Sequence, residues 1–329
     1  MSAPLSINQA ADLVDLSIQK IFEKSAEPEK VYDKYFNVRT TEDYYEKDSS
    51  LSGLTQADFV DENGVIMSDT PVQGYKKVYT QNMVGIIVPF TFQMWKFGIK
   101  KRDLANVAKQ LKDSIAQKKE QLCAERIDNA YSTSYTHYGS SANKTISVAG
   151  GDSVAAASAS HTREDGGANM NNVVYDGTTY NLPFDYAGVK AAYRTAGLMV
   201  DPRGMPMIPD LNVLVCKKNS AVHFKAKEIL GAIKSGKIPE SFDHDGSGVN
   251  AFEIVAVPWI QNANYWAMFD SSMKNDNYGF QFVESQPPMV DPVNVVYKTK
   301  EIQTSATTLF DLGHNDIARS WVFSNGTSA

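Results

Sequence analysis

The chain has 329 residues, 43% of them hydrophobic and 21% charged, with a formal net charge of −6. That is ordinary globular composition, with enough material for one large domain or two smaller ones. The acid excess argues against a protein whose main task is to grip nucleic acid through clustered Lys and Arg, no apolar run approaches the ~20 residues of a membrane helix, and no basic leader with an apolar block marks an export signal.

Residues 5–24 place Ile7, Ala10, Ala11, Val14, Ile18, Ile21 and Phe22 at helical spacing, which predicts an amphipathic helix ended by Pro28. Residues 31–50 set Tyr32, Tyr35, Phe36, Tyr44 and Tyr45 among charges. They read either as a loop with half-buried rings or as an arm lying on another subunit, where tyrosine offers contact area with a polar tip. Residues 51–73 are rich in Gly, Ser, Asp and Asn, with a turn signal at 61–64. The aromatic and β-branched run 74–92, which holds Tyr75 and Tyr79, predicts a strand ribbon.

That ribbon feeds, without a turn cluster, into a charged amphipathic segment predicting a helix of about thirty residues, long beside the roughly three turns of an average helix. Such a piece spans a subunit as scaffolding. Leu104, Val107, Ala108, Leu111, Ile115 and Leu122 form its apolar stripe. Lys100, Lys101, Arg102, Lys109, Lys112, Lys118 and Lys119 are expected opposite, balanced only by Asp103, Asp113 and Glu120. This basic face reads either as solvated or as turned toward phosphate.

Residues 139–181 are poor in large apolar residues and are expected to form a surface elaboration with short edge strands such as 145–148. From Pro183 order returns. A helix is predicted over 184–197, a turn at 201–204, a buried strand over 211–215, and a helix over 219–234 with Ala221, Phe224, Ile229, Leu230 and Ile233 inward. Strand runs follow at 254–257, 265–269, 280–282, 293–298 and 302–311, with Pro287 and Pro288 expected to end a ladder. The mixture is an α+β pattern.

Catalytic and metal-binding signatures are missing from the sequence: no GxGxxG, Walker loop, GxSxG or HExxH occurs, and none of the five histidines has a second at metal-ligand spacing. The turn 243–248 begins like a calcium loop, but Ile254 stands where the closing glutamate belongs. Cys123 and Cys216 read as free thiols. The expectation is a protein that is not an enzyme and carries no cofactor or metal.

The order of these pieces resembles the tailed-bacteriophage major capsid proteins of the Hong Kong 97-like fold, and looks closest to the major head subunits of Mu-like phages. The likeness rests on 64–95 (GVIMSDTPVQGYKKVYTQNMVGIIVPFTFQMW), on the long helix at roughly 93–132, and on 185–230. It also rests on the late strands with LFDLGHNDIARSWVFSNG, which carries Gly313, Asp316 and Arg319. The resemblance implies an N-terminal arm over 1–50, an E-loop β-ribbon over 51–92, and a spine helix with part of the P-domain over 93–182. A mainly A-domain region over 183–270 and return strands over 271–329 complete it.

It further implies copies that self-assemble as hexamers and pentamers into an icosahedral shell enclosing double-stranded DNA without sequence-specific contacts. A separate scaffolding protein, a portal and possible decoration protein would be partners, and the product would be a virion head assembled in the host cytoplasm. Tyr32, Tyr35, Tyr44, Tyr75, Tyr79, Trp95 and Arg319 are the implied assembly residues, and Lys112 and Lys119 the implied DNA-facing ones. The alternatives are an encapsulin-like nanocompartment shell with a cargo groove around Ile18, Ile21 and Phe22, or an α+β enzyme or ligand-binding protein.

Overall fold

Period-two alternation in the late strands builds the centre of the molecule. In a computed structural model the described residues are 18–25, 28–51, 54, 56–60, 64–71, 73–91, 93, 101–139, 143–234, 251–276, 278–296 and 298–327, with 51 and 101–105 described by backbone alone. Strands β7 (Val213–Lys217), β8 (Glu253–Val257), β9 (Trp266–Phe269) and β13 (Trp321–Ser324) form a four-stranded sheet in the order β13-β9-β7-β8. Only the β7–β8 pair is parallel. Val213, Val215, Ala267, Phe269, Trp321 and Phe323 point to one buried face; Leu214, Cys216, Trp266, Met268 and Val322 point to the other. A sheet apolar on both faces must be covered twice.

Helices α2 (Tyr186–Ala196) and α3 (Ala221–Lys234) cover one face through Val189, Ala192, Val222, Ala226 and Ile229. Asp185 caps α2, its carboxylate accepting from the Gly188 amide at 2.7 Å. In α3 the buried stripe is Val222, His223, Ala226 and Ile229, while Phe224 is exposed, so the expected inward set was rotated off the true face.

The other face meets the last turns of the long helix α1 (Lys101–Asp128) and a second sheet. There β12 (Glu301–His314) runs antiparallel to β10 (Phe280–Val290), to β11 (Asn294–Val296) and to β4 (Asn82–Thr91), while β1 (Phe36–Thr40) is parallel to β10. Ile302, Thr304, Ala306, Thr308, Phe310 and Leu312 alternate onto the buried face of β12. Ala108, Leu111 and Ile115 of α1 lie against it, joined by Ile18 and Phe22 from helical residues 18–24. The expected apolar stripe of α1 is therefore its buried face, apart from Leu104, whose side chain lies outside the description.

Two hairpins leave this body. β2 (Tyr45–Leu51) pairs with β3 (Gln73–Thr80), and β5 (Ser134–Tyr138) with β6 (Asn143–Ser147). The ribbon is thus made by 45–51 with 73–80, whereas β4 belongs to the main sheet.

Three expectations change. Residues 31–40 are neither loop nor free arm: Tyr32, Tyr35 and Phe36 are buried in the central core, with Phe36 stacked on Phe280 and Tyr32 on Phe282. Strand β10 passes Pro287 and Pro288 because register shifts at 284–289 take the residues without N–H groups out of the ladder. Residues 148–182 are not a surface elaboration: Val148, Ala155, Ala156, Ala157, Met170, Val173 and Val174 are buried. Small residues allow this path, and side-chain amides replace missing backbone partners. Asn172, fully buried, donates to Ala156 O at 2.7 Å and accepts from the Ser158 amide at 2.9 Å.

Candidate assembly interface

The sequence places a rigid root and an uncovered tip on the same ribbon. At the root, Asp311 of β12 accepts from the Thr80 amide at 2.9 Å and from Asn82 Nδ2 at 3.2 Å. Asn315 Nδ2 donates to Tyr75 O at 3.0 Å, and Lys77 Nζ to Ala149 O at 2.6 Å. Tyr79 is buried where a Cβ on Gly313 would come within 2.7 Å of its ring, so the glycine is required by close approach. The Asp311 carboxyl is held above its ordinary range by burial, with Arg126 opposing; burial, then Arg126, pulls Lys77 down.

Beyond the root the side chains are apolar and wet. Phe59 is 103% and Val65 94% exposed, and Leu54, Ile66 and Met67 are exposed with them. Nearer the body, Tyr44, Tyr45 and Val78 are exposed, as are Met83, Ile86 and Ile87 on β4. β4 pairs with β12 along one edge only among the described residues. Isolated exposed apolar residues need no explanation, but a ribbon tip and a sheet edge full of them mark surfaces that another chain covers. Arg203 holds the returning arm, donating to Asp69 at 2.8 and 2.9 Å and to Thr70 O at 2.6 Å.

Among the described residues expected to serve assembly, Tyr44 is the exposed one, at 56%, its ring edge-on to Tyr45. Tyr32, Tyr35 and Tyr79 are internal, Tyr75 is half-buried with its hydroxyl 2.8 Å from Thr162 Oγ1, and Trp95 lies outside the described residues, as does the 243–248 turn. Arg319 is also internal: it pairs with Glu164 at 3.0 Å and with Asp316, and donates to Val200 O at 3.0 Å. It braces the fold of its own chain.

The two lysines expected to face DNA do not. Lys119 is 4% exposed, paired with Glu284 and lying near the Phe282 and Phe310 rings. Lys112 is half-buried and donates to Ser25 O at 2.8 Å and Phe22 O at 3.3 Å. The reason is that α1 is amphipathic only in its first half. Its second half is buried around most of its circumference, with Glu120 accepting from the Val31 and Tyr32 amides and Arg126 donating to Ser147 O and Leu312 O. Sequence reasoning also missed the tip residues Phe59, Val65, Ile66 and Met67; their signal was an apolar run inside a segment with no partner pattern.

Both cysteines are free and buried, and burial pushes Cys216 up to about 12, so neither is an activated thiol. His314 is buried beside the edge of the Phe280 ring, and neither ring nitrogen has a partner among the described residues. Burial lowers its pKa to about 3, with Arg126, Lys77 and His161 acting in the same direction and Asp152 opposing. The folded protein therefore binds this proton less well than the unfolded chain, whose histidine titrates near 6.5. Stability is lost as pH falls from about 6.5 toward 3, at up to about 1.4 kcal/mol per pH unit. His314→Gln is expected to flatten the fall in melting temperature between neutral and mildly acid buffer; identical slopes would refute this role.

No known protein-family profile matches the chain, and no curated protein sequence matches it. Solved structures do. The chain is similar to the capsid of an empty GTA particle at 10% identity, covering 92% of this chain and 91% of that one, with a TM-score of 0.52. The capsid of the native GTA particle gives 11% identity, 92% and 91% coverage and a TM-score of 0.50. A chain from Microbacterium phage Oxtober96 gives 10%, 98% and 99%, and 0.50. At such identities the likeness is one of fold: the mixed helix-and-strand architecture is shared along nearly the whole chain.

Proposed function

We propose that this chain is the major capsid subunit of a tailed bacteriophage, and that its copies close into an icosahedral shell around double-stranded DNA. The observation that carries this reading is the shared architecture with the capsid of the GTA particle over more than nine tenths of both chains. In Hong Kong 97-like terms, α1 is the spine helix and the β2–β3 ribbon the E-loop. The sheet β1-β10-β12-β4 with α1 forms the P-domain, and the sheet β13-β9-β7-β8 with α2 and α3 the A-domain. The shell would be built from hexamers and pentamers, with a separate scaffolding protein and a portal as partners, and would assemble in the host cytoplasm.

The physics of the chain supports that role. A two-stranded ribbon is marginal alone, and its exposed apolar tip demands a neighbour. Many modest contacts per copy suffice, because closure multiplies them. The net charge of −6 fits a container for DNA better than a reader of it.

Expressed protein, alone or with its scaffold, is expected to form capsomers or shells visible by negative-stain microscopy. Replacing residues 53–72 by a short turn should leave a cooperative thermal transition and abolish durable shells. A wild-type chain that stays monomeric at every salt concentration and with scaffold present would overturn the reading.

A further inference from the structure

Lys118, Gln121 and Glu125 stand three and four residues apart and so share one face of α1. Strand β5 sets His137 against that face. His137 Nδ1 lies 2.8 Å from Glu125 Oε2, and its Nε2 lies 2.7 Å from Lys118 Nζ. Gln121 steadies both ends, donating to Glu125 Oε1 at 3.0 Å and accepting from Lys118 at 3.3 Å. A carboxylate only accepts, so it fixes the Nδ1–H tautomer of His137 and leaves the Nε2 lone pair turned on the amine. Carboxylate, imidazole and nucleophile in one hydrogen-bonded line is the arrangement that activates a side chain for attack on a carbonyl.

Here the nucleophile is an amine. Burial lowers the pKa of Lys118, with Glu125 opposing, so more of it is neutral near pH 7 than of a lysine in water. Lys118 and His137 both line a groove of ≈ 530 Å³ beside the ribbon root, between β4, the β5–β6 hairpin, α1 and β12. Lys77, Arg126 and Lys144 line it too, against a single carboxylate, Asp311. A cleft with that excess of cations concentrates small anions.

We propose that Lys118 is a self-acylating nucleophile, with His137 as its general base and Glu125 as the residue that positions the base, and that it takes small anionic acyl donors of the acyl phosphate class. The amine attacks the acyl carbon and a C–N bond forms. The C–O bond to phosphate breaks, its electron pair leaving with phosphate. His137 Nε2 takes the surplus proton from nitrogen and passes it to water. The products are one amide on Lys118 and one inorganic phosphate, so the reaction runs once per chain. It is a property of the single chain and does not depend on the shell reading.

The test uses the full chain and acetyl phosphate, with peptide mass spectrometry as the readout. Lys118 should be acetylated ahead of exposed lysines such as Lys227. His137→Gln should slow Lys118 roughly a hundredfold, the size of a lost general base, and leave Lys227 unchanged. Glu125→Gln should also slow Lys118, and adding His137→Gln to it should slow the reaction no further, because the two act as one unit. Lys144→Ala should raise the acetyl phosphate concentration needed for half-maximal rate and leave the reaction with uncharged p-nitrophenyl acetate unchanged. Melting temperatures establish that each variant is folded. The wild-type chain gives a measurement free of substitutions: the rate at Lys118 should level off at lower pH than that of lysine in a peptide. The groups facing it there are His137 and Glu125, with Lys77, Arg126, Lys144, Tyr135 and Asp311 around the groove. Acetylation that follows exposure alone, a peptide-like pH profile, or a folded His137→Gln chain that reacts like wild type would each overturn the nucleophile assignment. Equal effects of Lys144→Ala on both donors would overturn the preference for anions.

Discussion

Lys119→Ala is expected to destabilise the folded subunit by about 3–5 kcal/mol, because removing one partner of a buried ion pair strands the other. The stranded group is Glu284, whose side chain is 14% exposed and which, among the described residues, keeps a 3.3 Å contact with the Thr308 hydroxyl. The ammonium also lies over the Phe282 and Phe310 rings, and that contact goes with it. Lys119→Met combined with Glu284→Leu is expected to recover most of the loss, since an apolar pair of similar volume removes the uncompensated charge. Thermal unfolding of these two variants and the wild type decides the matter. A melting temperature for Lys119→Ala equal to wild type would place this lysine in solvent and contradict the burial described above.

Leu111→Asp is expected to cost at least as much and to leave little folded protein. Leu111 sits one turn before Ile115 on the face of α1 that meets Ala306 of β12 and Phe22. Losing a buried leucine side chain costs about 2–5 kcal/mol, and a carboxylate placed there without a partner adds a further desolvation penalty. The control is Lys109→Ala, at an exposed position two residues away, which should change stability by less than about 0.5 kcal/mol. If both variants unfold alike, α1 is not seated on β12 by this face.

Much of this architecture was legible in the sequence because local pattern and tertiary demand agree there. The strand at 213–217, the capped helix at 186–196 and the apolar stripe of α1 follow from periodicity alone. Reading failed where one rule met a competing one. Lys119 and Glu120 were placed on a face opposite the apolar stripe, yet both are buried, Lys119 against Glu284 and Glu120 accepting from two amides. The segment after Gly139 looked too polar for a core, but Ala155, Ala156 and Ala157 fit where larger side chains would not, and Asn172 supplies the hydrogen bonds. The strand at 36–40 was hidden because its partner, Phe280–Glu284, lies more than 200 residues away and no local turn announces a parallel pair. The candidate interface was the least legible part, since exposure of Phe59 or Met83 is a property of the folded surface that no periodicity encodes.

The attachment of the ribbon to β12 has a mechanical consequence. Asp311, Gly313 and Asn315 grip the root at the C-terminal end of a strand that is paired along ten positions with β4 on one edge and with β10 on the other. If copies form the proposed shell, tension applied at the tip by its contents would reach a three-strand ladder lengthwise. Hydrogen bonds loaded in shear must break together, whereas those peeled from an end break one by one. The β4 amides should accordingly exchange with deuterium as slowly in filled shells as in empty ones, because a load spread over the whole ladder opens no single bond.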